Sequence, residues 1–373
     1  MRIAFVYDIP YPWHKGGIEH ILNVEARELA KKHKVHFFTM RWPGMRSKFS
    51  YQNVTYHAFG TISEEEAYKH GRRSIREAVR FSRYMRNLYK YDFDVVITNA
   101  FPILHLQAVK SYCRSRKAKL ILKVDEVWDR SYWVNYLGPV FGDVANAYAT
   151  SLIKIDGAEY VANSSSTAEK LVRLGIEERR IRVFAPVLED NEMAAIRKAS
   201  RKRYKRVIFS GRLIKEKRVD KWLHMMKQVI EKDSSISGLL IGDGVERNKI
   251  AKEMKALGLA GNVEMRGFFK DKRGLYKAIA ESKLLLHMGE REGLSIIALE
   301  SLALGTPVMV PDYSPIPKIV RDMCVVEKEG RIPSKILEVM GSGGRYIKNE
   351  ENLETFSTSN VIPFYDKLFL TSE

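Results

Sequence analysis

Apolar runs of strand length alternate with helix-favouring segments along the whole of this 373-residue chain. Such alternation is typical of parallel sheets covered by helices on both faces. The predicted strands are 3–7, 35–39, 54–58, 95–98, 120–124, 159–162, 182–184, 206–210, 237–241, 262–266, 284–288 and 307–310. The predicted helices are 18–32, 72–90, 103–113, 143–155, 166–174, 219–231, 246–257, 272–281 and 295–304. A polar, basic stretch at 190–206 lies between the two halves, so we expect an α/β protein of two doubly wound, Rossmann-like domains with ligands at the carboxyl ends of the strands.

The stretch from Leu284 to Pro311 carries the clearest chemistry of the sequence. It reads LLLHMGEREGLSIIALESLALGTPVMVP, a strand, a glycine-broken acidic loop, a helix that ends at Gly305, and another strand. The free N–H groups at the start of that helix attract phosphate. Glu292 precedes the helix and Glu300 lies within it, and we expect both carboxylates to accept hydrogen bonds from hydroxyls rather than to meet phosphate. Hydroxyls together with a diphosphate indicate a sugar nucleotide.

This spacing resembles the signature of the retaining GT-B glycosyltransferases of family 4. The resemblance rests on Glu-x7-Glu followed by Gly305-Thr-Pro-Val and on Gly211-Arg-Leu-Ile-Lys-Glu-Lys217, which is similar to the family's Gly-Arg-Leu-x-x-x-Lys-Gly element. Leu239–Gly244 and Asn262–Phe269 look like the next strand and loop units, and Gly16-Gly17 resembles the amino-domain glycine loop. The resemblance covers nearly the whole chain and implies two doubly wound domains that face each other across a cleft.

The resemblance also implies a set of site residues. Arg212 and Lys217 would hold the donor diphosphate, Glu292 would orient the sugar, and Glu300 would bind the ribose hydroxyls. Asp125 stands where the family usually has histidine, so its role is either acceptor binding or capping of its strand. We assign catalytic roles to Arg212, Lys217, Glu292 and Asp125. Donor binding is assigned to Gly16, Gly17, Gly211, Arg212, Lys217, Phe268, Glu292, Gly293, Leu294, Ser295 and Glu300.

The domain limits follow from the same reading. Residues 1–190 form the predicted acceptor-side domain, to which a helix at about 350–373 returns, and residues 191–349 form the donor domain. The function implied is transfer of a hexose, with retention, from a UDP or GDP sugar to a hydroxyl acceptor that is lipid-linked or a glycan. No metal or other cofactor is expected, because two cations and a helix start already meet the diphosphate.

Composition limits the remaining classes of protein. The chain has two cysteines, no C-x-x-C and no histidine pair at metal spacing, so neither a disulfide framework nor a zinc site is expected. The first residues form a strand, and no apolar run approaches the roughly 18 residues of a membrane-spanning helix. We therefore expect a cytoplasmic protein without a signal peptide.

Net charge, at +18, points to an anionic partner. Residues 1–150 hold 24 Lys and Arg against 14 Asp and Glu, an excess of +10 on the acceptor side. A helix over 69–90 would place Ile75, Ala78, Val79, Ser82, Met85 and Tyr89 on one face and Arg73, Arg76, Arg80, Arg83 and Lys90 largely on another. This helix and the loop around Trp42, Met45 and Phe49 are candidates for peripheral contact with the anionic inner face of a membrane. The alternatives are a solvated basic helix face and a loop whose aromatic side chains pack inward.

Two other functions stay open at this point. A nucleotide-sugar epimerase or a soluble disaccharide synthase would use the same GT-B fold. A basic nucleic-acid-binding protein would explain the charge, but the sequence has no zinc finger, RNP-type strand or recognition-helix module.

Overall fold

The structure, a computed structural model, describes residues 1–14, 16–69, 72–200, 203–342 and 346–370. It divides into two compact units, an N-terminal unit of residues 1–186 and 358–373 and a C-terminal unit of residues 187–357. The predicted limits of 190 and about 350 differ from these boundaries by a few residues, and residues 371–373 of the predicted returning helix lie outside the described part.

The N-terminal unit is built on an eight-stranded sheet. Its strands run in the order β10-β9-β8-β7-β1-β2-β4-β3 and are parallel except for the β3–β4 pair. The strands of this unit are β1 Arg2–Val6, β2 Lys34–Arg41, β3 Lys48–Tyr51, β4 Val54–Thr61, the short pair β5 Tyr68–Lys69 and β6 Arg72–Arg73, β7 Val95–Asn99, β8 Lys119–Val124, β9 Ala158–Ala162 and β10 Ile181–Val183. All five residues of β7 are buried, as expected of a parallel strand covered on both faces.

The C-terminal unit has a six-stranded, fully parallel sheet in the order β13-β12-β11-β14-β15-β16. Its strands are β11 Tyr204–Ser210, β12 Ser237–Ile241, β13 Val263–Arg266, β14 Ser282–Leu286, β15 Val308–Pro311 and β16 Val325–Glu327. The order reverses between β11 and β14, which are neighbours in the sheet although two strands lie between them in the chain. Segments that follow β11 and β14 therefore meet at a topological switch point, where open α/β sheets bind ligands.

Helices cover both sheets. Those of the first 186 residues are α1 Gly17–Leu29, α2 Glu64–Ala67, α3 Ile75–Tyr84, α4 Leu106–Arg116, α5 Arg130–Leu137, α6 Pro139–Ile153 and α7 Ser165–Arg173. Those that follow are α8 Asp190–Ala199, α9 Val219–Lys232, α10 Arg247–Ala256, α11 Lys272–Ala280, α12 Ile296–Ala303, α13 Lys318–Arg321, α14 Ile332–Gly341 and α15 Val361–Leu370. Short 3₁₀ turns lie at Met85–Lys90, Ile103–His105, Glu178–Arg180, Lys215–Lys217, Glu329–Arg331, Glu350–Phe356 and Thr358–Asn360. The last helix, α15, packs against α1 and buries Val361, Tyr365 and Leu368 in the core of the N-terminal unit.

The predicted helix over 69–90 is wrong in extent and in its buried face. Helix α3 covers only Ile75–Tyr84, and His70 and Gly71 of the predicted helix lie outside the described residues. Ile75 is 54% exposed, whereas Phe81, Met85 and Leu88 are buried. Phe81 and Leu88, which lie outside the predicted face, are therefore buried with Met85 in the core of the N-terminal unit.

The basic residues of that predicted helix are partly neutralised. Arg73 forms an ion pair with the buried Asp8, and Arg80 pairs with Glu77 at 2.6 Å. The outward basic face is therefore reduced to side chains such as Arg76 and Arg83, both of which are exposed.

Two further expectations need correction. Trp42 and Met45 are buried in the core of the N-terminal unit, and Phe49 of β3 stacks on Tyr56 with ring centroids 5.0 Å apart, so this loop packs its aromatic side chains inward. The interfacial interpretation of the Trp42 loop is wrong. The polar stretch at 190–206 is also not a plain linker, because its first ten residues form α8.

Candidate functional site

The loop after β11 carries the two predicted diphosphate-binding cations. Arg212 lies two residues beyond the end of the strand, is exposed, and has no ion pair within the described part of the chain. Lys217 ends a 3₁₀ turn, after which Arg218 adopts a left-handed backbone with φ 50°. Arg218 stands where the family element has glycine; its guanidinium pairs with Asp220 at 3.0 Å and also with Glu290. The turn thus fixes the direction of Lys217.

Glu292, in the loop after β14, binds the side chains of two other residues. It forms an ion pair with Lys217 and accepts a hydrogen bond from His287 Nε2 at 2.8 Å. Burial alone would raise the pKa of the Glu292 carboxyl, but the charge of Lys217 and the His287 hydrogen bond outweigh it and lower the pKa to about 2. Glu292 is therefore an ionised, fixed acceptor and not a solvated loop residue.

Helix α12 begins directly after this loop. Ser295 caps it in a left-handed conformation with φ 65°, and its Oγ atom is buried without a hydrogen-bond partner. The first N–H groups of a helix have no intrahelical acceptors. A buried hydroxyl beside such N–H groups suits a ligand that brings several acceptor oxygens. The predicted end of this helix at Gly305 is confirmed, since α12 ends at Ala303 and Gly305 has φ 76°.

Glu300 lies within α12 and is almost completely buried. It has two polar partners on a neighbouring helix. Its Oε1 atom accepts hydrogen bonds from Lys272 Nζ at 2.6 Å and from the Tyr276 hydroxyl at 3.1 Å, both on α11. Burial and the negative charge of Glu300 raise the pKa of Tyr276, so the phenol stays protonated and donates.

The remaining predicted donor-site residues are spread around the same sheet edge. Gly211 joins β11 to Arg212, and its N–H donates to Ile241 O at 3.0 Å. Phe268, in the loop after β13, is 50% exposed. Gly293 and Leu294 connect Glu292 to the α12 cap, and Leu294 is buried. Apart from Phe268, the predicted residues of the C-terminal unit follow β11 and β14 at the switch point.

The N-terminal unit has its own polar set at the carboxyl ends of β1, β7 and β8. Gly16 precedes α1, and a Cβ atom at this position would lie 2.0 Å from Glu19 Oε2, so glycine allows that carboxylate to lie against the loop. Asp125 follows β8 and accepts a hydrogen bond from Asn99. Burial raises the pKa of Asp125, while Lys123 and Asn99 oppose the rise. Gly17 is the first residue of α1.

Sequence reasoning missed three residues that hold the predicted glutamates. His287 could have been found, because it is the one polar residue in the apolar run Leu284–Met288. Lys272 and Tyr276 gave no local signal, since they lie on a different helix from Glu300. Within the described residues no group of His, Cys, Asp and Glu could hold a metal ion, and no helix is long and apolar enough to cross a membrane.

Comparison with known proteins agrees with the signature. The model of glycosyl transferases group 1 matches residues 192–330, and the model of Glycosyltransferase Family 4 matches residues 15–189. The chain belongs to the family 4 glycosyltransferases. The family resemblance stated from the sequence is thereby confirmed.

Relatives of this family 4 protein share parts of its sequence. A GDP-mannose-dependent alpha-(1-6)-phosphatidylinositol dimannoside mannosyltransferase of Mycobacterium tuberculosis is 29% identical over 114 residues, which are 31% of this chain and 29% of that protein. A GDP-mannose-dependent alpha-mannosyltransferase of the same species is 25% identical over 199 residues, 50% of this chain and 49% of that protein. A poly(ribitol-phosphate) alpha-N-acetylglucosaminyltransferase of Staphylococcus aureus is 26% identical over 28% of this chain and 21% of its own length. The chain thus matches less than half of the length of each of these relatives.

Solved structures show the fold of this family 4 protein. WaaG, a glycosyltransferase involved in lipopolysaccharide biosynthesis, has a TM-score of 0.72 at 15% identity over 99% of this chain and all of that chain. Sucrose-phosphate synthase from Thermosynechococcus elongatus has a TM-score of 0.73 at 14% identity with full coverage of both chains. Anabaena HepE in complex with UDP and glucose has a TM-score of 0.69 at 12% identity over 99% of both chains. The predicted GT-B fold class is confirmed.

Proposed function

We propose that this family 4 protein transfers a hexose, with retention of configuration, from a nucleoside diphosphate sugar to a hydroxyl acceptor. One observation carries the proposal. At the switch point of the C-terminal sheet, a fixed carboxylate, two cations and a helix start with a buried, unpartnered Ser295 hydroxyl follow two neighbouring strands. This combination suits a ligand that joins a diphosphate to a polyol.

The chemistry proposed for the diphosphate end is leaving-group stabilisation. The bond between the anomeric carbon and the diphosphate oxygen breaks, the acceptor oxygen bonds to that carbon on the same face, and the acceptor proton passes to the departing diphosphate. Negative charge on the diphosphate grows during this step, so Arg212, Lys217 and the start of α12 would contribute most in the transition state. No metal is required in this scheme, because fixed cations and helix N–H groups supply the positive charge.

The sugar and nucleoside ends are assigned to the two glutamates. The ionised Glu292, held by Lys217 and His287, would accept hydrogen bonds from sugar hydroxyls. Glu300 would accept from the ribose hydroxyls and share its carboxylate with Lys272. The exposed Phe268 loop would meet the base of a UDP or GDP donor.

The acceptor is assigned to the N-terminal unit, in line with the +10 excess of its first 150 residues. Two relatives have names that specify phosphate-bearing acceptors, a phosphatidylinositol dimannoside and a poly(ribitol phosphate). We therefore propose an anionic acceptor, lipid-linked or glycan, that Asp125 helps to bind. A cytoplasmic enzyme in peripheral contact with the inner membrane face would meet such an acceptor.

Calorimetry with UDP, GDP and their hexoses tests the donor assignment. We expect the protein to bind one of the two nucleotides and its sugar. Arg212→Ala should lower turnover on the order of 10²-fold while the fold stays intact. Arg76→Ala, an exposed arginine outside the site, is the matched control. Activity that survives EDTA supports metal independence, and the anomeric configuration of the product, measured by NMR, tests retention. Salt-sensitive binding of nucleic acid without any affinity for sugar nucleotides would contradict the proposal. An epimer or a free disaccharide as the product would instead indicate an epimerase or a soluble disaccharide synthase, and the acceptor assignment would be wrong.

A further inference from the structure

Helix α6 presents an apolar face to solvent. Val140 and Phe141 are each 72% exposed, Val144 is 65% exposed and Tyr148 is 50% exposed. Their spacing places them in one stripe along the helix, roughly 100° wide, with the exposed Ala147 beside them. Exposed apolar side chains are common one at a time, but a contiguous stripe marks an interaction surface.

The opposite face of α6 already serves the fold. Ala149, Leu152 and Ile153 are buried in the core of the N-terminal unit. Gly142 lies so close to α5 that a Cβ atom there would be 2.5 Å from Val134 Cα. The two helices therefore pack tightly against each other at this glycine. The outward stripe therefore cannot turn inward without breaking this packing.

The helix is also nearly uncharged, unlike the rest of the chain. Its 15 residues contain one charged side chain, Asp143, which is paired with Arg130 at 2.6 Å. Since 29% of the chain is charged, the outer face of α6 departs sharply from the surface around it. Solubility alone would favour charged residues at these exposed positions.

Cations border the carboxyl-terminal end of the same helix. A groove of about 530 Å³ lies between α4 and the segment that follows α6. Three cations of α4 and its cap, Lys110, Arg114 and Lys117, line it together with the acidic residues Asp156 and Glu159. None of these three cations has an ion pair within the described part of the chain. An apolar stripe on a helix with an excess of cations near one end suits a helix that lies in the plane of an anionic bilayer surface.

We propose that α6 and the α4 cations form the surface by which this protein docks on an anionic membrane. The surface lies within the N-terminal unit and contains none of the residues assigned to the donor, so the inference does not depend on the proposed transferase activity. It replaces the basic helix and Trp42 loop as the membrane-facing element.

The first experiment removes the stripe. Phe141→Gln with Val144→Gln is compared with Ile75→Gln with Val172→Gln, which removes two apolar residues of the same unit that are 54% and 43% exposed. Wild-type protein should sediment with vesicles of phosphatidylcholine and phosphatidylglycerol at low salt and bind phosphatidylcholine alone much more weakly. The α6 variant should bind the anionic vesicles about tenfold or more weakly, and the control should stay within about twofold of wild type. Calorimetric titration with UDP and GDP, together with thermal unfolding, checks that all proteins are folded.

A second experiment tests the cations at matched charge. Lys110→Glu with Arg114→Glu should weaken binding about tenfold or more, whereas Arg76→Glu with Arg83→Glu, the same change of charge on α3, should have the smaller effect. A dye on Val144→Cys gives a readout that does not depend on affinity, because both native cysteines are buried. Its emission should shift to shorter wavelength on anionic vesicles, and that of the same dye on Val172→Cys should not.

Three outcomes would overturn the inference. One is wild-type protein that does not bind anionic vesicles at low salt. Another is equal loss of binding in the α6 variant and in its control. The third is a concentration-dependent dimer that Phe141→Gln with Val144→Gln abolishes, which would assign the stripe to a second copy of the chain. Failure of the wild-type protein to bind UDP or GDP, by contrast, would count against the proposed function and would not affect the inference about the docking surface.

Discussion

Replacing Glu300 separates its part in folding from its proposed part in nucleotide binding. The carboxylate accepts from the buried Tyr276 hydroxyl and from Lys272, whose side chain is 25% exposed. Glu300→Ala leaves the phenol without an acceptor, at a cost of about 1–3 kcal/mol, while Lys272 can regain much of its hydration. We expect the alanine variant to lose about 2–4 kcal/mol of unfolding free energy once the lost packing is included. Glu300→Gln keeps an acceptor for Tyr276 and should lose about 1 kcal/mol.

The same two variants have a different effect on the ligand. If Glu300 accepts two ribose hydroxyls, each charge-assisted bond contributes about 1.5–3 kcal/mol. Glu300→Gln, in which one oxygen becomes an NH₂ group, should weaken UDP or GDP binding on the order of tenfold, although it barely affects folding. Glu300→Ala should weaken it on the order of 10²-fold or more.

Calorimetry measures the affinity of each variant for UDP or GDP. Hydrogen exchange of α11 and α12 peptides across a urea series measures local stability. Glu338→Gln, the same change of charge on a side chain that is 55% exposed, is the control and should change neither. Nucleotide binding by Glu300→Gln within about twofold of wild type would refute the ribose assignment. Loss of binding and stability in equal proportion in both variants would mean that Glu300 acts only through the fold.

Three more predictions follow from the titratable groups. Lys217→Met should raise the pKa of Glu292 from about 2, since the lysine charge is the largest influence that lowers it; carboxyl NMR measures the shift, and an unchanged titration would contradict the ion pair. Burial lowers the pKa of His36 and of His57 to about 4, below the usual 6.5, so the stability that neutral histidines provide is present above pH 6.5 and lost as the pH falls toward 4. Each contributes at most about 3 kcal/mol to this loss, and His57→Phe should flatten the fall of Tm between these pH values; an unchanged slope would be the contrary result. Burial raises the pKa of both cysteine thiols to about 12, so neither should react with a thiol reagent until the protein is unfolded, and rapid labelling of the folded protein would show that prediction to be wrong.

Several elements could be predicted from the sequence because their causes are local. The strands from β11 to β15 and the end of α12 near Gly305 follow from apolar runs of strand length and from a glycine that adopts φ 76°. The family could be recognised for the same reason, since Glu292 and Glu300 keep their spacing on one loop and helix. The buried face of α3 could not be predicted in this way. Two overlapping apolar stripes fit its sequence, and the sheet selects the one that carries Phe81.

The contacts of the candidate site were decided by tertiary structure. Lys217 and Glu292 are 75 residues apart in the chain and meet because β11 and β14 are neighbours in the sheet. Glu300 meets Lys272 because α11 and α12 pack together. The stripe on α6 was likewise hidden in the sequence, where Val140, Phe141 and Val144 look like core residues. Hydrophobic patterns show that a face is apolar, but only the packing of the whole unit shows whether anything covers it, because burial depends on segments distant in the chain.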